Sequence, residues 1–143
     1  SVVEILQNCV IFNNGIHNPI TDRSVRADKT IHLRHGEKML FGKDMNRGLV
    51  QDGFLLKAVT IGEDGWTLDD VLVHDAHTQS NFLHQQLAMM DGETLPLAVG
   101  VIRDVEAPSY ETAVAEQVRE VKAKKGFTCL RDMIMAGETW EVK

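Results

Sequence analysis

Thiols and imidazoles carry the widest chemistry available to this chain, and they are few: two Cys and six His. Cys9 stands at the end of Val2-Val3-Glu4-Ile5-Leu6-Gln7-Asn8, with Val10-Ile11-Phe12-Asn13 after it. An apolar, β-branched run followed at once by a thiol places a soft ligand just past a predicted strand end, where open α/β sheets put their sites. As a thiolate it would suit zinc or an iron–sulfur cluster, either of which normally takes four ligands. The other thiol, Cys129, lies far away in a helical pattern, and the chain has no Cys-x-x-Cys. The chain can therefore supply at most one arm of such a site. Free Cys is also among the most buried residue types, so a plain packing role for Cys9 stays open.

The densest imidazole group is His74-Asp75-Ala76-His77 with His84. A His-x-x-His spacing at a helix end can converge on a metal, but it is a loose pattern. These residues read as solvated polar side chains at a helix–loop junction. His32 and His35 sit three apart around a predicted turn, and in a strand they would point to opposite faces. Lys43, Asp44, Asn46 and Arg47 share one polar loop, read as a solvated hairpin connection. Gly36, Gly42, Gly48 and Gly53 lack the spacing of a dinucleotide fingerprint and suit turns instead. No Ser-His-Asp or Cys-His arrangement emerges without arbitrary pairing.

The 143 residues suit one domain with a real core, and the formal charge of -6 argues against a nucleic-acid surface. No apolar run approaches the ~18 residues a membrane helix needs, and no signal peptide is visible. Two unlike, distant Cys do not make a disulfide framework, so a cytoplasmic location is expected. The sequence enters Val2–Leu6 directly after Ser1, which suggests a piece of a longer polypeptide cut just before or within a strand.

The elements expected to position these residues form an α+β fold in a single domain. Residues 1–28 read as a strand, Val2–Leu6, followed by a long turn-rich loop. Residues 29–66 read as a small antiparallel meander of Thr30–Leu33, Lys38–Phe41, Gly48–Gln51 and Leu55–Ile61, punctuated by His35-Gly36, Asn46-Arg47-Gly48 and Asp52-Gly53. Residues 67–143 read as helices, one strand and a tail. Thr67-Leu68-Asp69-Asp70 predicts a helix start in front of Val71-Leu72-Val73. Asn81 to Met90 predicts a short helix, Leu95 to Ile102 a strand, and Pro108-Ser109 the opening of a helix over Tyr110 to Lys125 that Gly126 stops. Tyr110, Val114, Val118 and Val121 form that helix's apolar stripe, and a last amphipathic segment covers Thr128 to Ala136.

Several segments together resemble the β subunits of 2-oxoacid:ferredoxin oxidoreductases. Glu4-Ile5-Leu6-Gln7-Asn8-Cys9-Val10-Ile11-Phe12-Asn13 is the most specific. His35-Gly36-Glu37-Lys38-Met39-Leu40-Phe41-Gly42 with Arg47-Gly48-Leu49 resembles the stretch downstream, although Lys38 replaces the usual Pro and Leu49 is a conservative variant. Val99-Gly100-Val101-Ile102-Arg103, then Pro108-Ser109-Tyr110-Glu111, follows in the same order. Gly137-Glu138-Thr139-Trp140 is similar to an ending found chiefly in 2-oxoglutarate-type members.

The resemblance implies an enzyme that oxidatively decarboxylates a 2-oxoacid to an acyl-CoA and passes the electrons to ferredoxin. It implies thiamin diphosphate, Mg²⁺ and a [4Fe–4S] cluster in the intact enzyme, and as partners an α subunit, ferredoxin, CoA and the 2-oxoacid. Three cluster ligands and the thiamin-binding motif lie N-terminal in that family; the fourth ligand falls in the segment matched here by Cys9. The chain is thus expected to be the C-terminal portion of a β subunit, with Val2–Leu6 left over from the thiamin-diphosphate domain. It should bind no cofactor and be inactive alone. The alternative is a free-standing binding module in which Cys9 only packs.

Overall fold

The computed structural model describes residues 1–126, 129–138, 140 and 142. The chain is α+β, with a three-stranded antiparallel sheet, a two-stranded parallel sheet and short helices. It divides into two compact units, Ser1–Val105 and Glu106–Lys143.

In the first unit the expected strand at Val2–Leu6 is not formed. Residues 1–8 have no regular structure, and Val2 and Val3 are 99% and 79% exposed. An apolar run becomes a strand only when a neighbour takes its backbone N–H and C=O groups, and no described segment does so. The loop that follows is more structured than its composition suggests. It holds two one-turn helices, α1 (Asn18–Thr21), with Pro at its first turn, and α2 (Arg26–Lys29).

Four strands follow where the hydrophobic runs place them: β1 (Thr30–Leu33), β2 (Leu40–Phe41), β3 (Arg47–Asp52) and β4 (Leu55–Thr60). Only the last three make the antiparallel meander, in the order β2-β3-β4. The expectation that Thr30–Leu33 joins it is corrected: β1 pairs in parallel with β5 (Leu97–Gly100), Thr30 opposite Leu97 and Leu33 opposite Gly100. His35-Gly36 therefore does not close a hairpin. Its backbone turns toward another segment, the Gly36 amide donating to the His74 carbonyl at 2.8 Å. The β3–β4 turn is a true hairpin, with Asp52 opposite Leu55 and Gly53 at φ 63°, the glycine position of a type II′ turn.

β3 is buried on both faces over its first half. Leu49 packs into the main core with Ile31, Leu33, Met39, Phe41, Leu87 and Met90. Val50 faces a second cluster with Val59 and Val71. Each such side chain contributes on the order of 1.5–3 kcal/mol when fully buried. The second cluster explains why the predicted helix at Thr67 stops after one 3₁₀ turn, Leu68–Asp70. The β-branched Val71 and Val73 go extended instead, Val71 dropping onto Gly48, where a Cβ would stand 2.5 Å from the valine Cγ2. The Leu72 amide donates to the Leu49 carbonyl at 2.9 Å, and Val73 bridges Lys38. The next helix, α3 (Phe82–Ala88), buries His84 and Leu87 against the same core.

In the second unit, α4 (Tyr110–Lys125) has the predicted bounds. Ser109 caps it by accepting from the Thr112 amide, and Gly126 ends it in the left-handed region at φ 64°. α5 (Leu130–Ile134) starts just after Cys129, which is its N-cap rather than an interior residue. Thr128 of the predicted segment, and Thr139 and Glu141 of the tail, lie outside the described residues. No described helix is long and apolar enough to cross a membrane.

Candidate functional site

Cys9 sits in a tight exposed turn. The Asn13 amide donates to the Cys9 carbonyl at 2.9 Å, and the two residues form an isolated antiparallel bridge. The chain thus folds back over the sulfur. The Phe12 amide foremost, then that of Ile11, with a smaller contribution from Asn13, hold the Cys9 thiol below its ordinary range. Amide N–H groups aimed at one sulfur favour the thiolate, which is the nucleophilic and metal-ligating form. The turn is braced on its other side: Asn8 Nδ2 donates to Asn14 Oδ1 at 3.0 Å, and the Gly15 amide donates to Asn8 Oδ1 at 2.8 Å. Cys9 is exposed, so plain core packing does not describe it in this chain. Its donor chemistry fits one position of a thiolate-ligated centre. Among the described residues no three His, Cys, Asp or Glu side chains converge to hold a metal ion.

The imidazoles do assemble, and differently from the solvated group expected. His74 and His84 are 1% and 3% exposed, their rings 6.1 Å apart edge to face. The correction has a visible cause. The 72–74 segment runs against residues 36–39 as an added ladder: the His74 amide donates to the Glu37 carbonyl at 2.9 Å, and the Met39 amide to the Leu72 carbonyl at 2.8 Å. That pairing carries His74 inward. Its Nε2 then lies 2.9 Å from the Val101 carbonyl oxygen, which can only accept, so Nε2 carries the proton. His74 Nδ1 is buried with no hydrogen-bond partner.

His84 is fixed from both sides. Nε2 donates to the Asp75 carbonyl at 2.8 Å, and Arg103 Nη1 donates to Nδ1 at 3.2 Å. A neutral ring with the proton on Nε2 satisfies both bonds. Arg103 also reaches the Thr78 and Gln79 carbonyls at 3.4 and 3.5 Å, closing the loop before α3. Val99-Gly100-Val101-Ile102-Arg103 therefore acts as a clip: Val101 receives His74, Arg103 holds His84, and Gly100, at φ 104°, passes so close that a Cβ would meet the Leu33 carbonyl oxygen at 2.6 Å.

His35 and His77 form an outer pair, ring centroids 4.2 Å apart and both about half exposed. His77 Nδ1 donates to the Asp104 carbonyl at 2.6 Å. His35 Nδ1 stands 3.3 Å from the Ala76 amide nitrogen and 3.4 Å from Asp75 Oδ1. One nitrogen cannot accept from the amide and donate to the carboxylate at once. Nδ1 without a proton accepts from the amide; Nδ1–H donates to Asp75. The four rings span a buried latch and a wet rim, and none is placed as a nucleophile's base.

His32 lies on the opposite side of β1 from the buried Ile31 and Leu33, apart from this group, as its position in the strand predicts. In the Lys43–Arg47 loop, Met45 takes φ 52° and the Arg47 guanidinium lies 4.6 Å over the Phe41 ring, so part of that loop is packed. The role of Arg103 was carried by no spacing rule, because its partner is distant in sequence and sits on a helix.

No family model and no solved structure matches this chain. Among curated proteins it is similar to the 2-oxoglutarate oxidoreductase subunit KorB of Mycobacterium tuberculosis (strain ATCC 25618 / H37Rv), with 29% identity over 145 aligned positions. The similarity runs along 99% of this chain but only 38% of that subunit, so the chain spans well under half the length of the relative it matches.

Proposed function

We propose that this chain is the C-terminal portion of the β subunit of a 2-oxoacid:ferredoxin oxidoreductase, with 2-oxoglutarate as the favoured substrate. The observation that carries the reading is the Cys9 turn: an exposed sulfur faced by backbone amides, inside a stretch whose residues resemble the family's cluster-ligating segment. The similarity to KorB along nearly the whole chain supports the same assignment, and the Gly137-Glu138-Thr139-Trp140 ending supports 2-oxoglutarate.

In the intact subunit Cys9 is one ligand of a [4Fe–4S] cluster, and the remaining ligands and the thiamin diphosphate and Mg²⁺ site come from the N-terminal part. Such a cluster, when bound, accepts and passes on electrons one at a time. The residues of this chain hold and tune it. The Phe12 and Ile11 amides favour thiolate at Cys9, and hydrogen bonds to a ligating sulfur raise the potential of the centre it serves. The Asn8–Asn14 brace fixes the direction of the sulfur. The buried histidine latch joins the 36–39, 72–74 and 101–103 segments. The chain takes no part in decarboxylation by itself and is inactive alone. Its partners are the α subunit and ferredoxin in the cytoplasm, with CoA as acyl acceptor.

The assignment is tested with the complete enzyme, purified anaerobically with its α subunit. It should reduce ferredoxin in the presence of 2-oxoglutarate and CoA, with pyruvate a poorer substrate. Absence of any 2-oxoacid-dependent ferredoxin reduction removes the assignment; equal turnover of pyruvate removes the substrate preference alone.

A further inference from the structure

We propose that the cleft between α2, β1 and the start of the β2–β3 loop binds a small molecule through a phosphate group. The cleft encloses about 460 Å³ and is lined by Arg23, Arg26, His32, Arg34 and Lys38, with Glu37 as its one carboxylate. The chain as a whole carries 15 Lys and Arg against 21 Asp and Glu. The lining cations thus outnumber the lining carboxylate against the charge of the molecule, although the Lys38 ammonium also faces Asp70 and Asp28 Oδ1 stands beside Gly42 at the cleft wall. Such a cleft focuses a positive field on whatever enters it.

Local structure explains how the cations are brought there. β1 turns Ile31 and Leu33 into the core, so Thr30 and His32 share the other face, and Arg34 continues it. Thr30 Oγ1 donates to the Arg26 carbonyl at 2.7 Å, which joins the end of α2 to the start of β1. The Gly42 amide donates to the Ala27 carbonyl at 2.8 Å and closes the opposite wall. The turn that carries Arg23 is held by Asp22, whose Oδ1 accepts from the Ser24 amide at 2.9 Å and from the Ser24 hydroxyl at 2.8 Å. That carboxylate is thereby engaged with its own turn.

The cations are not equally committed. Lys38 Nζ donates to the Leu68 carbonyl at 2.6 Å, and Arg34 stands 3.8 Å from Glu37 across an exposed pair. Arg23 and Arg26 make no side-chain hydrogen bond or ion pair with any described residue. Two uncommitted guanidiniums on one cleft, with an imidazole beside them, form a receptor for an oxyanion. A carboxylate offers two oxygens in one plane. A phosphate offers three in a pyramid with up to two charges, and so suits donors arriving from a turn, a helix and a strand. The cleft size is that of a small-molecule site. The acidity of the rest of the chain disfavours a long polyanion such as a nucleic acid.

The test is a titration of the ¹⁵N-labelled full chain with inorganic pyrophosphate, and separately with succinate, at constant physiological ionic strength. Pyrophosphate should bind saturably and shift amides of residues 23–34 and 41–45. The Arg23→Gln/Arg26→Gln double variant should bind about tenfold or more weakly, the loss of at least one charge-assisted contact. Its thermal midpoint should stay unchanged, because both side chains are exposed and unbonded. A Lys124→Gln variant on α4 should bind as the parent does. Pyrophosphate affinity unchanged in the double variant, no saturable binding, or shifts spread over all basic surfaces would overturn the site. Succinate binding as tightly as pyrophosphate would overturn the phosphate assignment. None of these results depends on the oxidoreductase reading.

Discussion

At the scale of single residues, Cys9 and the histidines show opposite relations between sequence and structure. Cys9 stands out in the sequence by its neighbours, and the structure adds the amide cradle that no spacing rule contains. Because the Phe12 and Ile11 amides favour its thiolate, alkylation of Cys9 by iodoacetamide should reach half-maximal rate at a pH below that of an ordinary cysteine thiol. Peptide mass mapping against pH reads this directly, and an inflection at or above the ordinary thiol range would count against the cradle. The histidines were legible as a group but not as a core. Nothing in His74-Asp75-Ala76-His77 says that residues 72–74 pair with 36–39, and without that pairing a His-rich junction belongs in water. His84 is held by a carbonyl and a guanidinium, so His84→Leu should lower stability by about 1–3 kcal/mol through the Asp75 carbonyl left without its donor and the loss of one Arg103 bond, Arg103 keeping the Thr78 and Gln79 carbonyls. Urea denaturation gives the value; a neutral substitution would show that water replaces the ring at no cost.

At the scale of elements, the local signals were sufficient wherever the partner is near in sequence. Asp52-Gly53 gave the hairpin, and Ser109 with Gly126 bounded α4 to the residue, because caps and turns are chemistry between neighbours. They failed where the partner is distant. β1 was legible as a strand, yet its parallel pairing with β5 depends on a segment far down the chain that no turn signal connects to it. The Thr67 start was also legible, and its single turn was not, because Val71 is claimed by Val50 and Val59 from the other side of the sheet. Two outcomes follow. Gly48→Ala sets a methyl into Val71 and should cost about 1–3 kcal/mol, read as a lower urea midpoint at unchanged slope. The 3₁₀ turn has its own pH dependence. The Thr67 hydroxyl foremost, and then its amide, hold the Asp70 carboxyl below the ordinary range. A depressed carboxyl stabilises the folded form above its unfolded pKa and loses that contribution as pH falls through its folded pKa. The Thr67 amide resonance should therefore move only below the usual carboxylate range, and a transition at or above that range would contradict the capping geometry.

At the scale of the whole molecule, both hydrophobic clusters, the histidine latch and the Arg103 clip draw their residues from Ser1–Val105. A chain ending at Val105 should therefore unfold cooperatively in urea; a broad, non-cooperative loss of signal would show that this core is incomplete. The apolar residues Val2, Val3, Ile5, Ile11 and Phe12, which flank Cys9 in sequence, are exposed. In the proposed β subunit that segment meets the N-terminal part that supplies the other ligands. The central claim is that Cys9 completes that site, and replacing it in the complete enzyme tests the claim most directly. Iron content and low-temperature EPR of anaerobically purified Cys9→Ser enzyme are compared with those of the parent and of Cys129→Ser. The account predicts that Cys9→Ser loses the cluster or alters its EPR signal while Cys129→Ser keeps it. Full iron and an unchanged spectrum in Cys9→Ser would contradict it.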